Sequence, residues 1–181
     1  AISLAHSQQL GSSTVARIHR EYAEHLYSKG DHSAAAEQYV HTIGELPPSA
    51  VISKFLSAQR VVELTDYLIA LHKQTEHPTL AAPEHTTLLM HCMCKLGDEA
   101  RLKSFVSWAS EASTTFDSDH AAAAINVLRT SGYRALAVEL AEACKQPHLL
   151  LTLLLDEVGS YDKALSTIRS MPTHLARTTL L

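Results

Sequence analysis

Residues 22–44, YAEHLYSKGDHSAAAEQYVHTIG, read as two short helices hinged at one glycine, Gly30. Tyr22 and Leu26 lie one helical turn apart before the hinge, and Ala35 and Tyr39 one turn apart after it, so each arm offers an apolar stripe. Helices shorter than about 12 to 15 residues are marginal alone in water, so both arms must pack on each other and on neighbouring pairs. Gly30 supplies a left-handed helix stop, and Asp31 is placed to accept hydrogen bonds from the first free amides of the next helix.

Working outward, Ala1 to Ala5 reads as the tail of a preceding helix, and Gly11-Ser12-Ser13-Thr14 breaks it and caps a helix expected from near Val15 to about Lys29. The helix after Gly30 is expected to end at Gly44, with Pro47-Pro48-Ser49 forcing a break and capping a third helix at Ala50. The same frame of apolar residues eight and four positions before a turn, and five and nine after it, recurs along the chain. Around Gln59 it holds Val51, Phe55, Leu64 and Leu68; around Gly97, Leu89, Met93, Leu102 and Val106. Around Ser131 it holds Ala123, Val127, Leu136 and Leu140, and around Gly159, Leu151, Leu155, Ala164 and Ile168. The five turns are spaced by 29, 38, 34 and 28 residues, which leaves room for longer linkers at Thr75 to Pro83 and Ser113 to Asp117. The pattern predicts an all-α solenoid of about five antiparallel helix pairs, occupying residues 1–181 as a single segment.

The first unit also fits a tetratricopeptide frame: with Gly30 as its glycine, Ala35, Tyr39 and Pro47 fall 5, 9 and 17 residues on. A tetratricopeptide-type peptide-binding module is therefore the alternative reading. Against it stand the uneven spacing and the loss, in later units, of the small residues that let such helices approach closely.

Composition narrows the function classes. With 46% hydrophobic and 19% charged residues the chain has an ordinary globular balance, and a net charge of −4 without a basic run disfavours nucleic acid. The longest apolar run, Leu149 to Leu155, is far short of the ~20 residues that span a bilayer and reads as a core helix. Cys92, Cys94 and Cys144 are an odd, sparse set inside helical patterns, which suits a reducing compartment. The apolar Leu180-Leu181 end has no polar capping repeat, so the chain is expected to be cut from a longer one.

Twelve histidines invite a metal reading, and His85, His91, Cys92 and Cys94 are the densest group. Cys92 and Cys94 point to different sides of a helix, however, and only His91 and Cys94 share a face. His19, His25, His32 and His41, with Glu21 and Glu24 at the wrong offsets for a zincin helix, read as a solvated or partner-facing edge. Gly30-Asp31-His32-Ser33 lacks the second glycine and lysine of a phosphate loop, and no GxSxG elbow occurs. The acidic pairs Asp117 and Asp119, and Asp156 and Glu157, sit where they complement helix ends. No catalytic, cofactor-binding or metal-binding residue is assigned, no cofactor is expected, and the chain is not expected to be an enzyme.

Several runs carry a family resemblance: HLYSKGD (25–31), QYVHTIGELPPSAVISKFLSAQR (38–60), LTDYLIALH (64–72), HTTLLMHCMCKLGD (85–98) and FDSDHAAAAINVLRTSGYRALAVELAE (116–142). With Tyr161, Ala164-Leu165 and Met171-Pro172 in the last segment, they resemble the vacuolar protein sorting subunit eleven family, the class C core subunits shared by the HOPS and CORVET endolysosomal tethering complexes. Thr75 to Pro83 and Ser110 to Thr115 match no motif of that family. The resemblance implies a clathrin-heavy-chain-type α-solenoid lying between a β-propeller and a RING-H2 domain, and neither flanking pattern is seen in this sequence. It further implies a structural, protein-interaction scaffold supporting vesicle tethering and fusion at the endosome and vacuole or lysosome. The implied partners are the other class C subunits, with Rab GTPases and SNAREs reached only indirectly. The implied location is peripheral, on the cytoplasmic face of late endosomal and vacuolar or lysosomal membranes.

Overall fold

In a computed structural model, residues 11–74, 76, 78–111 and 116–170 are described. Ten α-helices occur among them: α1 Ser12–Ser28, α2 His32–Val40, α3 Pro48–Ser57, α4 Val61–His72, α5 Pro83–Leu96, α6 Glu99–Glu111, α7 Ser118–Thr130, α8 Arg134–Ala143, α9 Pro147–Thr152 and α10 Tyr161–Ser170. A 3-10 turn covers Pro78–Leu80, and α9 runs on into a π-helical segment, Leu153–Val158. The described residues contain no strand, only a bridge between Ile43 and Leu46. The expected helix tail at Ala1 to Ala5 and the Met171-Pro172 motif lie outside the described residues, as does the linker at 113–115.

The helices fall into five pairs, each closed by a two- or three-residue turn whose key residue is left-handed: Gly30 (φ 85°), Gln59 (55°), Gly97 (65°), Gly132 (89°) and Gly159 (64°). In the first, second and fourth of these turns the amide after the left-handed residue donates to the carbonyl five residues back. These bonds are Asp31 to Leu26 at 3.0 Å, Arg60 to Phe55 at 2.9 Å and Tyr133 to Leu128 at 2.9 Å, and they satisfy carbonyls that the helix end would leave open. Lys145 (φ 52°) makes the same turn between α8 and α9, with Gln146 donating to Ala141 at 2.9 Å.

The chain divides into two compact units, Ala1–Ala81 and Ala82–Leu181. In the first, α1 packs on α2, and α2 and α3 both pack on α4; Ala23, Ala35, Phe55, Leu64, Tyr67 and Leu68 are fully buried. In the second, α5 packs on α6 and α7, α8 packs on α6, α7 and α9, and α10 closes on the π segment. Within each unit the second helices of successive pairs stack, α2 on α4 and α6 on α8, and in the second unit α5 also stacks on α7, which is the neighbour-to-neighbour order of a solenoid. Pro48, Pro83 and Pro147 each open a helix at its first turn, where a missing N–H costs nothing and φ is already helical.

Four local expectations are corrected. The turn at 131 belongs to Gly132, and with the frame moved one residue its positions become Ala124, Leu128, Ala137 and Ala141, every one fully buried. The small-residue interface of the first pair thus recurs in the fourth. In the first arm Tyr22 is 45% exposed while Ala23 is fully buried, because the apolar face of α1 runs through Ala16, His19 and Ala23. At the last turn Leu155 is 38% exposed and Leu154 is buried: the π turn inserts one residue, and Ser160 accordingly donates six residues back, to Leu154 at 2.9 Å. Finally α1 starts at Ser12 rather than Val15, α2 ends at Val40 rather than Gly44, and α3 starts at Pro48 rather than Ala50. The chain leaves α2 through His41 and Thr42, whose hydroxyl donates to the Tyr39 carbonyl at 2.7 Å.

Candidate interaction surface

The residues that could carry chemistry are dispersed. His85 caps α5, its Nδ1 accepting from the Ala82 amide at 3.1 Å, while His91 is exposed and Cys92 buried. Cys94 and Cys144 are half-buried thiols, and burial raises the pKa of both, so neither is primed as a thiolate nucleophile. Among the described residues no group of three His, Cys, Asp or Glu side chains could hold a metal ion. No described helix is long and apolar enough to cross a membrane.

Two of the four histidines read as an outer edge lie inside the fold. His19 is buried between α1 and α2, with Nδ1 2.9 Å from Gln38 Oε1 and its ring stacked on His41 at 4.6 Å. His32 is half-buried with its ring edge-on to Tyr27 at 4.7 Å, and only His25 and His41 stand exposed. The reason is the shifted face of α1, which places position 19 in the pair's interface. In the second unit Asp117 caps α7: its Oδ1 accepts from the Asp119 amide at 2.9 Å and the His120 amide at 3.1 Å, and lies 2.8 Å from His120 Nδ1. The His120 side chain, then the amide, hold the Asp117 carboxyl below its ordinary pKa. His120 in turn borders an aromatic cluster in which Phe105, Trp108 and Phe116 lie 5.2 to 6.1 Å apart, joining α6 to the start of α7.

The most structured surface feature lies in the first unit, where α1, the α2–α3 connection and α3 enclose a groove. Its upper end is a cavity of about 240 Å³ bounded by Ser13, Ala16, Arg17, Arg20, Glu45 and Leu46. Arg20 and Leu46 also bound the next cavity, about 120 Å³, which ends at Glu24, Tyr39 and Lys54. Ser12 anchors the upper wall by donating to Glu45 Oε1 at 2.9 Å. At the lower end Lys54 Nζ donates to the Glu24 carboxylate and to Tyr39 Oη at 3.1 Å, and lies over the Tyr27 ring at 4.8 Å. Burial opposes both charges, but the hydrogen bonds that Glu24 and Lys54 make with each other and with Tyr39 outweigh it, so Glu24 is held below its ordinary pKa and Lys54 above. Burial, first, also raises the Tyr39 phenol. These contacts make a fixed wall rather than a reaction centre. None of Arg17, Arg20 or Lys54 stood out in the sequence; the i, i+3 pair of arginines was visible, but not that α3 would meet it.

Residues 27–178 match the PEP5/VPS11 clathrin repeat. The chain is similar to the vacuolar protein sorting-associated protein 11 homologs of mouse and human, at 43% identity over 180 residues in each, covering 99% of this chain. It is also 38% identical over 181 residues to the homolog of Arabidopsis thaliana. The chain spans less than a fifth of the length of these relatives, 18% of the animal proteins and 19% of the plant one. The succession of helix pairs is consistent with a clathrin-type repeat, and the chain belongs to the PEP5/VPS11 clathrin repeat family.

Proposed function

We propose that this chain is a structural, protein-interaction segment of an endolysosomal membrane-tethering complex, supporting vesicle tethering and fusion at the endosome and vacuole. The observation that carries the reading is the family match over residues 27–178, together with relatives that bear a vacuolar protein sorting name. The match crosses the boundary between the two compact units, which supports reading both as one repeat segment. Stacked helix pairs expose extended side-chain surfaces and enclose little volume, so they suit docking of other proteins better than catalysis. The segment performs no catalysis, holds no cofactor, and spaces the functional ends of its parent subunit. Its partners are other class C subunits, with Rab GTPases and SNAREs bound elsewhere in the assembly, and it works peripherally on the cytoplasmic face of late endosomes and the vacuole or lysosome.

The test is deletion of residues 27–178 from the parent subunit, with affinity recovery of the other subunits and vacuolar cargo sorting as readouts. Loss of subunit recovery and of sorting is expected. Recovery of all subunits in unchanged proportion, with sorting intact, contradicts the proposal.

A further inference from the structure

The groove on the first unit has a chemistry of its own, independent of membership in any complex. Its lower cation, Lys54, is already engaged by Glu24 and Tyr39. Its two upper cations, Arg17 and Arg20, are exposed on α1 and neither has a carboxylate within ion-pair distance among the described residues, although the charge of Arg20 reaches Glu24 and helps to lower its carboxyl pKa. Three cations face two carboxylates, Glu24 and Glu45, so this site is locally positive on a chain whose net charge is −4. Beneath the guanidiniums the floor is apolar, formed by Ala16 and Val51, both buried, and half-buried Leu46.

We propose that this groove binds an extended acidic peptide segment of a partner protein, with alternate carboxylates on Arg17 and Arg20. Register supports the match. Arg17 and Arg20 are about 4.5 Å apart along the helix axis, and alternate side chains of an extended peptide are about 6.6 Å apart on one face, a difference the long arginine stems absorb. Guanidinium forks take carboxylates in pairs of parallel hydrogen bonds, which gives such a site direction as well as charge. Glu24 and Glu45 on the walls disfavour a polyphosphorylated ligand, whose dense charge would meet them directly, whereas a peptide can place a neutral or donor side chain beside each.

The probe is a fluorescein-labelled peptide, Gly-Ser-Glu-Leu-Glu-Leu-Glu-Ser-Gly, titrated into the full 181-residue chain with anisotropy as readout. Saturable binding is expected, weakening at least about tenfold in Arg17→Glu/Arg20→Glu and on raising salt from about 50 to about 300 mM, since exposed pairs are screened. Lys95→Glu, on an exposed residue of the other unit, serves as the control and leaves binding unchanged. Arg17→Gln/Arg20→Gln, checked by circular dichroism, replaces the charge reversal should that variant fold poorly. The proposal is overturned if the peptide does not saturate, if its lysine analogue binds equally, or if both arginine variants bind like the wild type. It is also overturned if the arginines instead govern capture of phosphatidylserine vesicles or self-association of the chain while leaving the peptide unbound.

Discussion

The hydroxyl of Tyr27 donates to the backbone carbonyl of Lys54 at 3.3 Å, linking the first helix of one pair to the first helix of the next. The ring of Tyr27 also meets Phe55 edge-on at 5.7 Å and His32 at 4.7 Å. Because the Lys54 carbonyl keeps other donors, Ser57 Oγ at 3.0 Å and the Ala58 amide at 3.3 Å, losing the hydroxyl leaves no unsatisfied acceptor. Tyr27→Phe is expected to cost about 0.5–1 kcal/mol in urea unfolding, and Tyr27→Ala about 2–3 kcal/mol because the ring packing goes too. Equal losses in the two variants would show that the ring contributes nothing.

The turns make an opposed pair of predictions. A Cβ added at Gly30 meets no heavy atom within 4 Å, so Gly30→Val is penalised by its φ of 85° alone, at about 1 kcal/mol or more. Gln59 holds a side chain in the same region at φ 55°, so Gln59→Gly is expected to stabilise by up to about 1 kcal/mol. Thermal melts of both variants should move in opposite directions; a shift of the same sign would contradict the shared turn geometry.

Tyr22 and Ala23 differ by one position and by their whole environment, 45% exposed against fully buried. Tyr22→Asp is expected to shift stability by less than about 0.5 kcal/mol. Ala23→Asp forces an unpaired carboxylate between α1 and α2, and a loss of about 3 kcal/mol or more is expected, with loss of cooperative melting of the first unit.

Asp117 provides a pH-dependent contribution. Its carboxyl is held below the ordinary value by His120, so the stability it adds is fully present above the unfolded carboxyl pKa of about 3.9 and is lost as pH falls through the lower folded value. Asp117→Ala should cost about 1 kcal/mol at pH 7 through loss of the α7 cap. The gap between variant and wild-type melting temperatures should narrow on acidification from about pH 4 to about pH 3. A gap constant across that range would mean that the carboxylate form is not what caps the helix.

Most of the architecture was legible from sequence because its determinants are local. Prolines at helix starts, glycines at left-handed turns and an apolar frame fixed to each turn are properties of short stretches. Where the reading slipped, the cause was one residue of register. Ser131 and Gly132 both look like turn residues, and only the backbone shows that Gly132 is the left-handed one; the slip concealed the alanine interface of Ala124, Ala137 and Ala141. Leu154 and Leu155 are indistinguishable in a run of leucines, and the π turn that chooses between them has no sequence mark. His19 looked solvated because a polar ring in an amphipathic helix suggests the outer face, yet Gln38 and His41 supply it with partners inside the pair. The groove depends on α1 meeting the α2–α3 connection and α3, a tertiary relationship between residues some thirty positions apart, and no local pattern encodes it.

The central claim, that this segment is a docking surface within a larger assembly, is tested most directly by crosslinking mass spectrometry of the intact parent complex with a lysine-reactive reagent. Lys29, Lys73, Lys95, Lys103 and Lys145 are exposed and distributed over both units. Crosslinks from several of them to other subunits are the expected result. Crosslinks confined to the parent chain itself, at full coverage of these lysines, would contradict the claim and leave the segment as a spacer alone.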